Sequence, residues 1–90
     1  MSQKNKENIL EEANKITHAD RRKMYGHPKD NFGHIAKISS AILGKELSAR
    51  DIVMIMFATK ISREMHQSKR DNHVDLAGYS WVLNKVMEDE

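Results

Sequence analysis

Ninety residues with a formal net charge of +2 and no cysteine point to one modest domain, a reducing compartment, and neither a disulfide framework nor a thiolate metal site. A chain this short buries only about 60–65% of its unfolded surface, which makes self-assembly an expected source of stability. The mild charge suits a small anionic ligand in a local basic pocket better than an extended DNA-binding surface.

The opening stretch from Met1 to Asn8 is polar and has no apolar centre, so it does not read as a signal peptide. No apolar run approaches the roughly 20 residues that cross a bilayer. Residues 1–6 read as a flexible start to a single helical domain over 1–90. From Glu7 a first helix is predicted, with Ile9, Leu10, Ala13 and Ile16 on one apolar face. Its early glutamates and late Lys15 suit the helix dipole.

Asp20 to Lys29 reads as a loop. It holds the only proline, Pro28, with Arg21, Arg22, Lys23, Tyr25, Gly26 and His27. Pro28 fixes its own φ and pushes His27 out of the helical region, and Gly26 offers a positive φ. A second helix is predicted from Asp30 or Asn31, either of which can cap it. Phe32, Ile35, Ala36, Ile38, Ser39 and Ile42 form its buried stripe, and Gly44 ends it.

Ser48-Ala49-Arg50-Asp51 is close to a capping box and opens a third helix, Ala49 to about Gln67. The run from Ile52 to Phe57 is apolar around the whole circumference, the mark of a helix buried on most sides. In so short a chain that predicts a homo-oligomer. After a polar connector, Ser68 to Asn72, a fourth helix is predicted from His73 or Val74 to about Met87. Gly78 within it costs about 1 kcal/mol against alanine and signals close approach of another helix or of a ligand. The fold class is therefore all-α, a compact bundle of about four helices.

Catalytic signatures are lacking. The sequence has no Cys nucleophile, no serine elbow, no glycine-rich phosphate loop and no zinc spacing among its five histidines. The basic residues are more informative. Lys60 and Arg63 share a helix face beside Glu64, and arginine is suited to bidentate phosphate contacts. A plain solvated face, with Lys60 and Arg63 paired to Glu64 or Asp75, fits the same spacing. Tyr25 and Tyr79 are the better stacking candidates, whereas Trp81 and Phe32 read as core. Asn31 either reads a base edge or caps the second helix.

Taken together, three motifs carry a resemblance: Asp20-Arg21-x-x-x-Tyr25-Gly26-x-Pro28-x-x-Asn31-Phe32, Lys60-x-x-Arg63, and Asp71-x-x-x-Asp75-x-Ala77-Gly78-Tyr79. In this order the chain resembles a widespread family of small phage-encoded all-α proteins. The layout is also similar, more distantly, to the all-α nucleoside triphosphate pyrophosphatases of the MazG and dUTPase type, which hold Mg²⁺ on two acidic helix motifs. Here cations stand where the first acidic motif would fall, an exchange that removes a metal clamp and supplies phosphate ligands.

The resemblance thus implies binding without turnover, as in the anti-CBASS sponges that phages use to sequester cyclic dinucleotides such as 3',3'-cyclic GMP-AMP in the host cytoplasm. It implies that Arg21, Arg22, Lys60 and Arg63 hold phosphates and that Tyr25 and Tyr79 stack on bases. Asn31, His73 and Asp75 would supply polar contacts, with Gly26 and His27 beside the ligand. No cofactor and no metal is expected, and the expected assembly is a tetramer built as a dimer of dimers through the third helix. The rival expectations are a Mg²⁺-dependent pyrophosphatase using Glu64, Asp71 and Asp75, and a small protein-interaction module.

Overall fold

A computed structural model describes residues 8–18 and 24–88. Among the described residues four helices run in order: α1 (Ile9–His18), α2 (Pro28–Leu43), α3 (Ala49–His66) and α4 (Arg70–Val86). No strand occurs among the described residues, so the fold is all-α. Glu7, Arg21, Arg22 and Lys23 lie outside the described residues.

α1 opens on a reciprocal pair: Asn8 Oδ1 accepts from the Glu11 N–H at 2.8 Å, and Glu11 Oε1 accepts from the Asn8 N–H at 3.3 Å. This is a capping box with asparagine as the cap. Its buried face is the expected one only in part. Ala13 and Thr17 are buried, while Leu10 and Ile16 are exposed. The cause is the neighbour: a Cβ built on Gly78 of α4 would sit 3.4 Å from Thr17 Cγ2. The helices cross through small residues, and the bulky side chains of α1 flank the crossing. Thr17 keeps its buried hydroxyl satisfied by donating to the carbonyls of Ala13 and Asn14.

α2 starts two residues earlier than Asp30. Gly26 takes φ 77°, His27 is extended at φ −69°, ψ 135°, and Pro28 is the first helical residue. The cap is the His27 imidazole, whose Nδ1 accepts from the Lys29 N–H at 3.0 Å. Asn31 therefore caps nothing; its own N–H donates to the His27 carbonyl. Proline at this position costs no hydrogen bond and is already set to the helical φ. Phe32 and Ala36 are buried, whereas Ile38 and Ile42, placed in the stripe from sequence, are exposed. Gly44 ends the helix in the left-handed region at φ 65°, as its position predicts. The Ser40 hydroxyl then ties down the connector, donating to Ala36 O and accepting from the Leu47 N–H at 2.8 Å.

The capping box at α3 is as expected. Ser48 Oγ accepts from the Asp51 N–H, and Asp51 Oδ2 accepts from the Ser48 N–H. Hydrogen bonds to the carboxylate from the Ser48 backbone and, second, from the Ser48 side chain lower the Asp51 pKa from its ordinary value. α3 packs on α2 and α4, burying Ile52 and Val53 and half-burying Met56 and Phe57. Burial on all sides does not hold within one chain: Met54 and Ile55 are exposed.

α4 begins at Arg70, three residues ahead of His73. Val74, Gly78, Val82 and Val86 recur every four residues as its buried line. Val82 and Val86 join Phe32, Ala36, Ile52 and Val53 in the core shared by α2, α3 and α4. Trp81 is half-buried at the rim of that core rather than within it. Its ring lies 4.4 Å from the imidazole of His18. Arg70 and Glu12 form an ion pair that ties the start of α4 to α1.

Candidate anion-binding groove between α3 and α4

The early start of α4 follows from one carboxylate. Its cap position, Lys69, has no side-chain hydrogen bond of its own. Glu64 of α3 takes that role across the connector. Its Oε1 accepts from the Lys69 N–H at 3.1 Å and from Asn72 Nδ2 at 3.1 Å. Its Oε2 meets the Ser68 hydroxyl at 2.5 Å and His73 Nε2 at 2.9 Å. A carboxylate offers about four acceptor sites, so Glu64 is fully occupied. Hydrogen bonds from Ser68, His73, Asn72 and the Lys69 backbone outweigh partial burial and lower its pKa to about 2. Asn72 is only 5% exposed and is satisfied by Glu64 and, at 3.4 Å, by the Gln67 carbonyl.

This junction holds α3 and α4 around an open groove of about 610 Å³. Lys60, Arg63 and His66 reach it from α3, Lys69 from the connector, and Asp71 and Asp75 from α4. Lys60 Nζ lies 2.7 Å from Asp75 Oδ2, with the lysine side chain 14% exposed. The pair fixes one cation in the wall. Arg63 and Lys69 are exposed and form no ion pair among the described residues. Set against the single remaining carboxylate, Asp71, they leave the groove with an excess of positive charge.

Lys60, Arg63 and Asp75 of the expected site are thus brought together. His73 stands behind them, engaged with Glu64. Tyr79 lies between the rings of Phe32 and Phe57, at 6.4 and 6.3 Å, and lines a separate small hollow of about 50 Å³ that shares Asp75. Tyr25, Gly26, His27 and Asn31 lie elsewhere. Lys29 Nζ donates to the Glu88 carbonyl, which places their loop by the far end of α4, about 16 Å along the axis from Asp75. Arg21 and Arg22 fall outside the described residues. Sequence reading missed His66 and Lys69 as groove residues. The available signal was His66 at i+3 from Arg63, extending the Lys60–Arg63 face.

Glu64, Asp71 and Asp75 do not converge. Among the described residues no group of three or more His, Asp or Glu side chains is placed to hold a metal ion. No helix among them is long and apolar enough to cross a membrane.

Comparison with known proteins finds a family model, described as a domain of unknown function (DUF6378), that matches residues 8–87. The chain is 40% identical over 84 residues to the "Gene 55 protein" of Mycobacterium phage D29, covering 92% of this chain and 56% of that protein. It is 37% identical over 86 residues to the "Gene 55 protein" of Mycobacterium phage L5, covering 91% and 55%. The chain therefore spans about half the length of these relatives. No solved structure matches it. On the extent of the family match and the closeness of these relatives, the chain belongs to DUF6378, a phage protein family of unknown function.

Proposed function

We propose that the protein binds a nucleotide anion in the α3–α4 groove and holds it without cleaving it, and that the ligand is a cyclic dinucleotide signal of the host cell. The observation that carries this reading is the groove itself. Its size falls within the roughly 300–1,000 Å³ of small-molecule sites. It offers Arg63 and Lys69, with Lys60 anchored by Asp75. A cyclic dinucleotide has two phosphodiester charges for those two cations.

Retention without turnover is supported by Glu64. The acid on which a Mg²⁺ clamp would draw is committed to the junction through both oxygens. Sequestration needs affinity and no transition-state stabilisation, and a phage family context is where such a binder is useful. Tyr25 and its neighbours could join the ligand only from another subunit or from a bound state with a different loop position.

The test is calorimetric titration of the chain with 3',3'-cyclic GMP-AMP, followed by heat release and chromatography of the ligand. Binding with intact release is expected. Arg63→Ala with Lys69→Ala should weaken it by about 10- to 100-fold or more, the range for charge-assisted hydrogen bonds. Absence of binding overturns the reading, and Mg²⁺-dependent conversion of a nucleoside triphosphate to a monophosphate replaces it with a pyrophosphatase.

A further inference from the structure

We propose that the outer face of α3 is a self-association surface, on which a second copy of the chain packs its own α3 antiparallel about a two-fold axis. This pairing needs no ligand and follows from the spacing of apolar side chains on α3. Met54, Ala58, Ile61 and Met65 are all exposed and are separated by four, three and four residues. That is the alternation of a helix-pairing seam. At about 100° per residue they fall within about 60° of one another, on the side of α3 opposite Ile52 and Met56. α3 is therefore apolar on two opposed faces, of which α2 and α4 cover one.

The occupant follows from the shape of that face. Met65 is 82% exposed, more than any other large apolar side chain described. Near the other end of the seam lies a shallow, open hollow of about 460 Å³ lined by Leu47, Met54, Ile55 and Ala58 together with the charged Lys45, Glu46 and Asp51. Knob and hollow are about 16 Å apart along the axis. An antiparallel copy with its two-fold midway, between Ala58 and Ile61, sets each Met65 into the hollow around the other copy's Met54. It also sets small Ala58 against bulky Ile61. One surface that supplies both halves of the contact is what an isologous dimer requires.

A parallel pairing would instead oppose Met65 to Met65, leave both hollows empty and align the helix dipoles unfavourably. α3 is about 27 Å long and about 10 Å wide, a footprint on the order of 300 Å². That is well under the roughly 800 Å² per partner of a standard interface, so the dimer should dissociate on dilution.

Sedimentation velocity over a concentration series tests this, with helicity read by circular dichroism. The wild-type chain should shift from monomer to dimer with concentration. Met65→Glu and Ile61→Glu should remain monomeric with wild-type helicity; should Ile61→Glu lose helicity, Met65→Glu alone decides, since its side chain stands in solvent. Orientation can be read by cysteine pairing, because the chain has no native cysteine. Met54→Cys mixed with Met65→Cys should give a disulfide-linked heterodimer, and Met65→Cys alone little homodimer. A wild-type chain that stays monomeric at its solubility limit, a dimer indifferent to Met65→Glu, or efficient Met65→Cys homodimers would each overturn the proposal.

Discussion

At its start α4 is positioned by side chains from its neighbours: the Glu64 carboxylate gathers Ser68, Lys69, Asn72 and His73, and Glu12 holds Arg70. At its far end the chain that meets it, Gly26 to Asn31, is shaped largely by its own backbone through a positive φ, a proline and a histidine cap. The first kind of construction leaves a polar groove between two helices. The second makes a sharp helix entry above the buried ring of Phe32. The segment that is most conspicuous as a string of letters is thus the architectural one, and the quieter connector Gln67–Lys69 borders the groove.

This contrast can be broken at several points. Phe32→Ala should do the greatest damage. Its ring is fully buried where α2, α3 and α4 share a core, and losses of about 3–5 kcal/mol attend such truncations. Chemical denaturation reads this directly; a loss under about 1 kcal/mol would mean that the core is not shared as described. At the other end Asn72→Ala should cost about 1–3 kcal/mol and loosen the groove, seen as faster amide exchange at Ser68–Asp71. Unchanged exchange there would show that the network does not hold the connector.

Gly26→Ala should cost about 1–2 kcal/mol, because a Cβ at φ 77° meets the local steric penalty of the left-handed region while nothing lies within 4 Å to clash with it. Exchange near the groove should be untouched, which separates the two ends. The smallest effect at neutral pH is expected for Glu64→Gln, since solvent reaches the carboxylate. Its signature is in acid. The folded-state pKa is lowered from 4.5 to about 2, so the carboxylate's contribution is present in full above the unfolded value and is lost as pH falls toward 2. Wild type should lose stability through that window, while Glu64→Gln lacks this component of the slope; parallel curves would show that the network does not act through the charge.

Four helices were legible in the sequence because their punctuation is local. Gly44 and the Ser48/Asp51 box act within a turn of their own position, and so do Gly26 and Pro28. The errors arose where a distant residue intervened. The start of α4 could not be read at Lys69, since its cap comes from Glu64 on another helix. The buried face of α1 was misread in part because Gly78 admits only small side chains at the crossing, which favours Ala13 and Thr17 over Leu10 and Ile16. For the site, Lys60 and Arg63 were visible from helical spacing and Asp75 from its motif. Lys69 enters the groove only through the turn between helices, which no periodicity describes.

The contact between His18 and Trp81 has an optical consequence. Trp81 is the sole indole of the chain, and it sits where α1 rests on α4, outside the fully buried core. Its emission is therefore a native reporter on the seating of α1 in particular. Comparing the fluorescence melt with the melt of total helicity would show whether the first helix lifts away before the remaining three come apart.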